Sequence, residues 1–284
     1  CVPKQATHLV ATGVTGAFVA GTTGESLSLT TTERIDLFHA WGEAAKESGI
    51  TFIAHIGHNS LPDAQALAEA AQAAGAEAIG AMAPTFFKPA DAGELVNWFA
   101  RITEPASGLP FYFYDIPSMT GVSIDTKEFV QSAAERIPSF AGVKYTNPDR
   151  DQLQAILALE NHSPDMLWGC DEELLVGLDM GCQGAVGSSY NFAAGIYHRV
   201  IEAFELGDKD EAKHWQSRSV ALIDTLKSHG YMHSAKAVME MVGVDCGPAR
   251  PPLPQLTDEE RSALRAQLET LGFFEWLNEC TEAK

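Results

Sequence analysis

The stretch PFYFYDIPSMTGVSIDTKEFVQSAAERIPSFAGVKY, residues 110–145, decides the fold. It opens on a short apolar run, Pro110–Asp115, and closes on another, Ala141–Tyr145. Between them Asp125–Arg136 reads as a helix. Strand, helix, strand is the unit of a parallel sheet covered by helices. Working outward, the same alternation continues. Gly16–Gly21, Thr51–Gly57 and Glu77–Ala83 read as strands upstream, and Met166–Gly169 and Gln183–Gly187 downstream. Thr32–Ser48, Leu61–Ala74, Asp91–Thr103, Asp149–Glu160 and Asp171–Gly181 read as the intervening helices. Thr30 followed by Glu33 is a capping box, and Pro62 after Ser60 suits a second helix start.

Seven strands are visible, and the chain opens in a helix-like stretch, Val2–Thr12. A closed barrel needs eight strands. The expectation is therefore an α/β protein, a (β/α)8 TIM barrel whose first strand is missing from this chain. An open doubly wound sheet is the rival, but its dinucleotide loop GxGxxG is absent, as is GxxxxGK[ST]. After Ser188 only helices follow: Ala193–Leu206, Lys209–Ser228, Ser234–Val242 and Asp258–Leu271, with the proline-rich Pro248–Pro254 between the last two. Residues 1–191 are expected to form the barrel. Residues 192–284 are expected to add its last helix and a helical extension of the same domain.

Composition narrows the function. The chain has 284 residues, 45% hydrophobic, with Lys+Arg 19 against Asp+Glu 38 and a formal charge of −19. The apolar content supports a substantial core. The charge repels phosphate backbones and anionic headgroups, so neither nucleic acid nor membrane is an expected partner. No apolar run reaches the ~18–20 residues of a membrane span. The five cysteines are widely spaced with no CxxC. That pattern favours reduced thiols and a cytoplasmic location over a disulfide frame or a zinc site.

Active sites of parallel barrels lie at the carboxyl ends of the strands. Lys144, in FAGVKYT, sits there. A lysine on a short apolar strand is costly unless paired or neutral, so it is either a reactive amine or a core lysine bridged to a carboxylate. Alternation puts Gly142, Lys144 and Thr146 on one face, with Gly142 leaving room beside the lysine stem. Tyr114 ends its strand and is either a proton-transfer group or a buried hydrogen-bonded phenol. The loop GTTGES, Gly21–Ser26, offers backbone N–H groups with the Thr22 and Thr23 hydroxyls, a cradle for a carboxylate or phosphate, or an ordinary turn. In GCDEEL, Gly169–Leu174, Asp171 and Glu172 either favour a helix start or bind sugar hydroxyls. GAVGSSYN, Gly184–Asn191, is a glycine-bearing strand end with two hydroxyls. His55 and His58 lie where side chains do not converge, so no metal site is expected.

Together these motifs resemble the N-acetylneuraminate lyase and dihydrodipicolinate synthase superfamily, from about Val10 to at least Pro254. GTTGE, YDIPSMTGV, GVKYT, GCDE and GAVGSSYN occur in the family's order. The resemblance implies a (β/α)8 barrel with a helical C-terminal extension, assembled as a homotetramer. It implies that Lys144 forms a Schiff base with a 2-oxo acid, that Tyr114 transfers the proton, and that Thr22 and Thr23 hold the carboxylate. No metal or organic cofactor is implied, because the lysine imine is the electron sink. Synthases carry an arginine at the position of Met119, and a methionine cannot pair with a substrate carboxylate. YDIPSMTGV, Thr146 and GCDE match the lyase branch, in which the positions of Gly169, Asp171, Glu172 and Ser188 contact a sugar-derived chain. The implied activity is cleavage of N-acetylneuraminate to N-acetylmannosamine and pyruvate. The alternatives are another pyruvate-dependent sugar-acid lyase or dehydratase, a synthase-like enzyme, or a barrel that binds without turnover. Phe86 and Phe87 stand where many relatives have a tyrosine that reaches a neighbouring subunit.

Overall fold

The computed structural model of the chain describes residues 1–160 and 164–282. The chain divides into two compact units: residues 16–169 with 180–186, and the remaining described residues. Helices are numbered along the chain, and α1 (Val2–Ala11) belongs to the second unit.

The first unit is built on one parallel sheet. Its strands are β1 (Gly16–Val19), β2 (Thr51–His55), β3 (Ala78–Met82), β4 (Phe111–Asp115), β5 (Phe140–Tyr145), β6 (Asp165–Trp168) and β7 (Gly184–Ala185). Their order in the sheet is their order in the chain. Each strand thus lies beside its predecessor, as in a barrel wall; a doubly wound sheet reverses at a switch point, and no reversal occurs among the described strands. The expected closed ring of eight is met in part. The described sheet has seven strands, and no pairing between β1 and β7 occurs among the described residues.

The connecting helices are α2 (Thr31–Ser48), α3 (Leu61–Ala73), α4 (Ala92–Thr103), the one-turn α5 (Pro117–Thr120), α6 (Thr126–Arg136) and α7 (Arg150–Leu157). Their starts follow from side-chain caps. Thr30 and Glu33 form the expected capping box. Ser60, Asp91, Asp125 and Asp149 each accept an N–H from the first turn of their helix. Such caps satisfy donors that the helix itself cannot. The helix side of the sheet is aromatic: Phe99, Phe111, Phe113, Phe129 and Phe140 pack with ring centroids 4.6–5.8 Å apart.

One register detail positions the chemistry. Phe111 pairs with Phe140, but Tyr112 pairs with Gly142, so Ala141 is skipped and Tyr114 pairs with Lys144.

The second unit is helical: α1, α8 (Leu174–Met180), α9 (Tyr190–Glu205), α10 (Lys209–Ser228), α11 (Tyr231–Met241), α12 (Asp258–Leu271) and α13 (Phe273–Glu282). Helix α9 starts before the expected Ala193 because a first turn, Tyr190–Phe192, joins it across a kink at Ala193 (φ −137°). Helix α13 was not expected. Gly272 (φ 85°) ends α12 and restarts the chain as a helix. Phe273, Trp276, Leu277 and Cys280 carry the helical spacing that would have revealed it.

Candidate active site

Lys144 and Tyr114 lie opposite each other on β5 and β4 because their strands pair at these residues. Lys144 is 6% exposed, and its Nζ stands 3.4 Å from the centroid of the Tyr114 ring. A second ring, Phe18 on β1, is 5.7 Å from the same nitrogen. Among the described residues the amine faces aromatic rings and no carboxylate pairs with it, so the reading of a core lysine bridged to an acid does not hold. Gly142 serves a different purpose from the one expected. A Cβ there would sit 2.2 Å from the Asp165 carbonyl and 2.9 Å from the Tyr112 ring, so the glycine admits β6 and Tyr112 rather than the lysine stem.

The Tyr114 ring is fixed on several sides. Phe18 meets it edge-on at 5.7 Å and His55 at 6.2 Å. Gly80 makes the space for Phe18, since a Cβ would lie 2.7 Å from that ring. His55 is fully buried. Burial, with the charges of Arg34 and Lys144, pushes its pKa well below the ordinary range, so the ring is neutral. The Met82 N–H donates to Nε2 at 3.2 Å, and Arg34 Nη2 lies 3.4 Å from Nδ1. Below it the buried guanidinium of Arg34 donates to the carbonyls of His55 and, at 2.9 Å, Gly57. Burial lowers its pKa to about 10, and it remains cationic at neutral pH. Phe18, His55 and Arg34 were missed as contributors. Phe18 and His55 alternate like ordinary core residues of a strand, and only strand pairing brings them to the tyrosine; Arg34 comes from α2 and reaches His55 alone of the three rings.

The loop after β1 delivers the threonine hydroxyl. Ala20 and Glu25 both take φ 56°, a left-handed conformation unusual for residues with a Cβ. Gly24 permits the tight return, because a Cβ would lie 2.9 Å from the Ala20 Cα. Thr22 Oγ1 then donates to the Tyr114 phenol oxygen at 3.3 Å. Thr23 is exposed on the same turn. Further along the sheet, the Thr146 hydroxyl is buried without a hydrogen-bond partner among the described residues. It occupies the space of the absent side chain of Gly169, whose Cβ would fall 1.9 Å from Thr146 Oγ1.

In the second unit Asp171 is 4% exposed and anchors a hydroxyl network. Its Oδ2 accepts the Ser189 N–H at 2.7 Å, the Ser189 hydroxyl at 2.5 Å and the Ser188 hydroxyl at 3.4 Å. Ser188 also bonds the Tyr231 phenol at 2.6 Å, and Ser189 bonds that of Tyr197 at 2.5 Å. Asp171 opens the short turn Asp171–Glu173, whose N-cap is the half-buried Cys170. Gly187 is required here, since a Cβ would lie 2.1 Å from Asp171 Oδ1. Glu172 pairs with Lys227 at 2.7 Å and raises the pKa of that amine through the shared hydrogen bond. Ser189, Tyr197 and Tyr231 were not anticipated. The doubled serine of GAVGSSYN pointed to the first, but nothing local points to a tyrosine at the start of α11.

His58 turns away from His55. It accepts the Ser60 N–H at 2.9 Å and lies 3.9 Å from Asp63. Met119 is exposed in α5, and Phe86 and Phe87 are exposed and edge-stacked at 4.8 Å.

A sequentially wound parallel sheet with a buried amine at a strand's carboxyl end, followed by a helical C-terminal region, defines an aldolase-type α/β enzyme. The chain belongs to the dihydrodipicolinate synthetase family, whose model matches residues 1–271. It is 36% identical over 264 residues to the N-acetylneuraminate lyase of Rattus norvegicus, covering 92% of this chain and 82% of that protein. The lyase of Gallus gallus is 37% identical, with 91% and 85% covered. Among solved structures, the N-acetylneuraminate lyase of Proteus mirabilis superposes with a TM-score of 0.92 at 35% identity, over 96% of this chain and 92% of that one. A dihydrodipicolinate synthase (DHDPS) from Cyanidioschyzon merolae superposes at 0.86 with 29% identity, over 95% and 91%. The chain thus shares its fold with a member of each branch.

Proposed function

We propose that this chain is a class I aldolase that cleaves N-acetylneuraminate to N-acetylmannosamine and pyruvate. The observation that carries the reading is the stack of Lys144 Nζ on the Tyr114 ring, with Thr22 hydrogen-bonded to the phenol. The unprotonated amine attacks the C2 ketone of the open-chain sugar acid, and loss of water gives the imine. The iminium nitrogen draws the electrons of the C3–C4 bond as that bond breaks. Tyr114, as the phenolate, takes the proton of the C4 hydroxyl and as the phenol later returns a proton; the Thr22 O–H supports the charge on the phenolate oxygen before the transfer. Protonation of the enamine at C3 and hydrolysis release pyruvate and restore the amine. Thr22 and Thr23 hold the 2-oxo acid carboxylate. Thr146, Gly169, Asp171, Glu172 and Ser188 receive the polyhydroxylated chain, for which paired donors and acceptors are required.

Met119 supports the lyase over the synthase, because it leaves no cation at that position for a second carboxylate. The reading carries with it the family's eight-stranded barrel, formed by residues 1–191 and completed by the helices of 192–284 as one domain. It also carries a homotetramer and a cytoplasmic location. The exposed apolar trio Phe86, Phe87 and Met119 supports an assembly. No helix of the described residues is long and apolar enough to cross a membrane.

Borohydride reduction in the presence of pyruvate tests the covalent step. Peptide mapping should place one pyruvyl adduct on Lys144, and Lys144→Ala should lose both adduct and turnover; an adduct on another lysine overturns the assignment. The substrate is tested by comparing kcat/KM for N-acetylneuraminate cleavage with that for condensing pyruvate and aspartate semialdehyde. A preference for the semialdehyde makes the chain a synthase. Failure with both, with Lys144 still labelled, points to a different sugar acid.

A further inference from the structure

Cys1 and Cys246 lie outside every feature used above, and their Sγ atoms are 3.4 Å apart. Several contacts bring them together. Helix α1 is held by the Gln5–Asn191 side-chain hydrogen bond at 2.9 Å and by His198 on the Thr12 carbonyl at 3.1 Å. Along its length Pro3, Thr7 and Ala11 line a groove with Val242 and Val244, so the start of α1 runs beside the segment that leaves α11. Cys246 is presented by a fixed turn. Gly247 takes φ 70° and donates its N–H to Asp245 Oδ1 at 2.8 Å, and Lys236 Nζ donates to the Pro248 carbonyl at 3.0 Å. The sulfurs need to approach by only about 1.4 Å to reach the ~2.0 Å of a disulfide bond.

We propose that Cys1 and Cys246 are a modification site, a dithiol pair that closes into an intramolecular disulfide when a low-molecular-weight disulfide is the oxidant. Cys1 is the exposed thiol and reacts first. Its thiolate attacks one sulfur of the oxidant, breaks that S–S bond and displaces one thiolate, leaving a mixed disulfide on Cys1. The Cys246 thiolate then attacks the Cys1 sulfur and displaces the second thiolate. The two protons lost by the cysteines go to the two departing thiolates, and the oxidant gains two electrons. Burial raises the Cys246 pKa and Asp245 adds to this, while Lys236 acts the other way. Cys246 is therefore the resolving thiol rather than the attacking one. The bond ties the N-cap residue of α1 to the turn after α11.

The test uses the full chain and oxidised glutathione, followed by mass mapping without reduction. The expected result is a cross-linked Cys1–Cys246 peptide, a mass loss of two hydrogens, and free thiols falling from five to three. The oxidised chain should melt about 5 °C or more higher, since a cross-link between distant residues restricts the unfolded chain, and reductant should abolish the gain. Cys246→Ser should instead retain glutathione on Cys1, and Cys1→Ser should form no disulfide at Cys246. A mixed disulfide that persists on Cys1 of the unaltered chain, a linkage to another cysteine, or a disulfide between chains overturns the proposal.

Discussion

The surroundings of Lys144 and those of Asp171 solve opposite problems. Lys144 is a buried polar group whose described neighbours are two aromatic faces. Asp171 is equally buried, yet one of its oxygens takes three hydrogen bonds. Leaving a polar group unmatched in the interior costs free energy, and satisfying it removes that cost. On the proposed function the contrast is one of purpose: a nucleophile held without an ion pair among the described residues, and a carboxylate whose donors hold it in one orientation.

The largest break in this comparison should come from Tyr114→Phe. It keeps the ring beneath the amine and removes only the phenol, so borohydride trapping of pyruvate should persist. Turnover should fall roughly 100-fold or more, the scale of a lost general acid–base. Near-normal kcat would give the proton transfer to another group. Asp171→Ala should do the reverse: trapping at Lys144 unchanged, and kcat/KM for the sugar acid down about 30-fold or more, for a lost charged hydrogen-bond acceptor of ~2–3 kcal/mol. Equal losses in trapping and turnover would erase the division between the two groups.

A smaller effect is expected from Gly169→Ala. The new Cβ would meet the Thr146 hydroxyl at 1.9 Å and force it to turn, an overpacking cost of ~1–3 kcal/mol. Differential scanning calorimetry should show a lower Tm, and the added change Thr146→Ala should restore most of it. The smallest effect concerns acid. The folded-state pKa of His55 is depressed, so below its ordinary value near ~6.5 the unfolded chain binds a proton that the folded chain refuses. Stability from this group is complete above that pH and is lost as pH falls toward the folded-state value. The loss is at most about 1.4 kcal/mol per pH unit. His55→Gln should flatten that slope between pH 6.5 and 5 in urea titrations, and an unchanged slope would show that the ring is not buried neutral.

Much of this was legible in the sequence. The strands of residues 110–145 announced themselves because strand and helix periodicities differ, and caps such as Thr30 with Glu33 mark helix starts locally. Lys144 and Tyr114 stood out because lysine is out of place on an apolar strand. Their aromatic surroundings did not, because Phe18 and His55 reach the tyrosine through strand pairing across distant parts of the chain. Tyr231 joins Ser188 from 43 residues away, which no local pattern encodes. Helix α13 carried a readable pattern, but Gly272 disguised its start as the end of α12.

The residue skipped between β4 and β5 has a consequence for how the chain can change. With Phe111 opposite Phe140, straight counting would set Tyr114 against Val143, and the lysine would fall one place out of step. Ala141 is the odd residue that corrects the parity. An alternating strand has only two sides, so pairing that took in Ala141 would exchange the contents of both. Deleting Ala141 would do no such thing: Phe140 would be followed directly by Gly142, and straight counting would still set Tyr114 against Lys144. The skipped residue is slack in the strand, a place where the chain can lose one residue and keep the amine opposite the tyrosine.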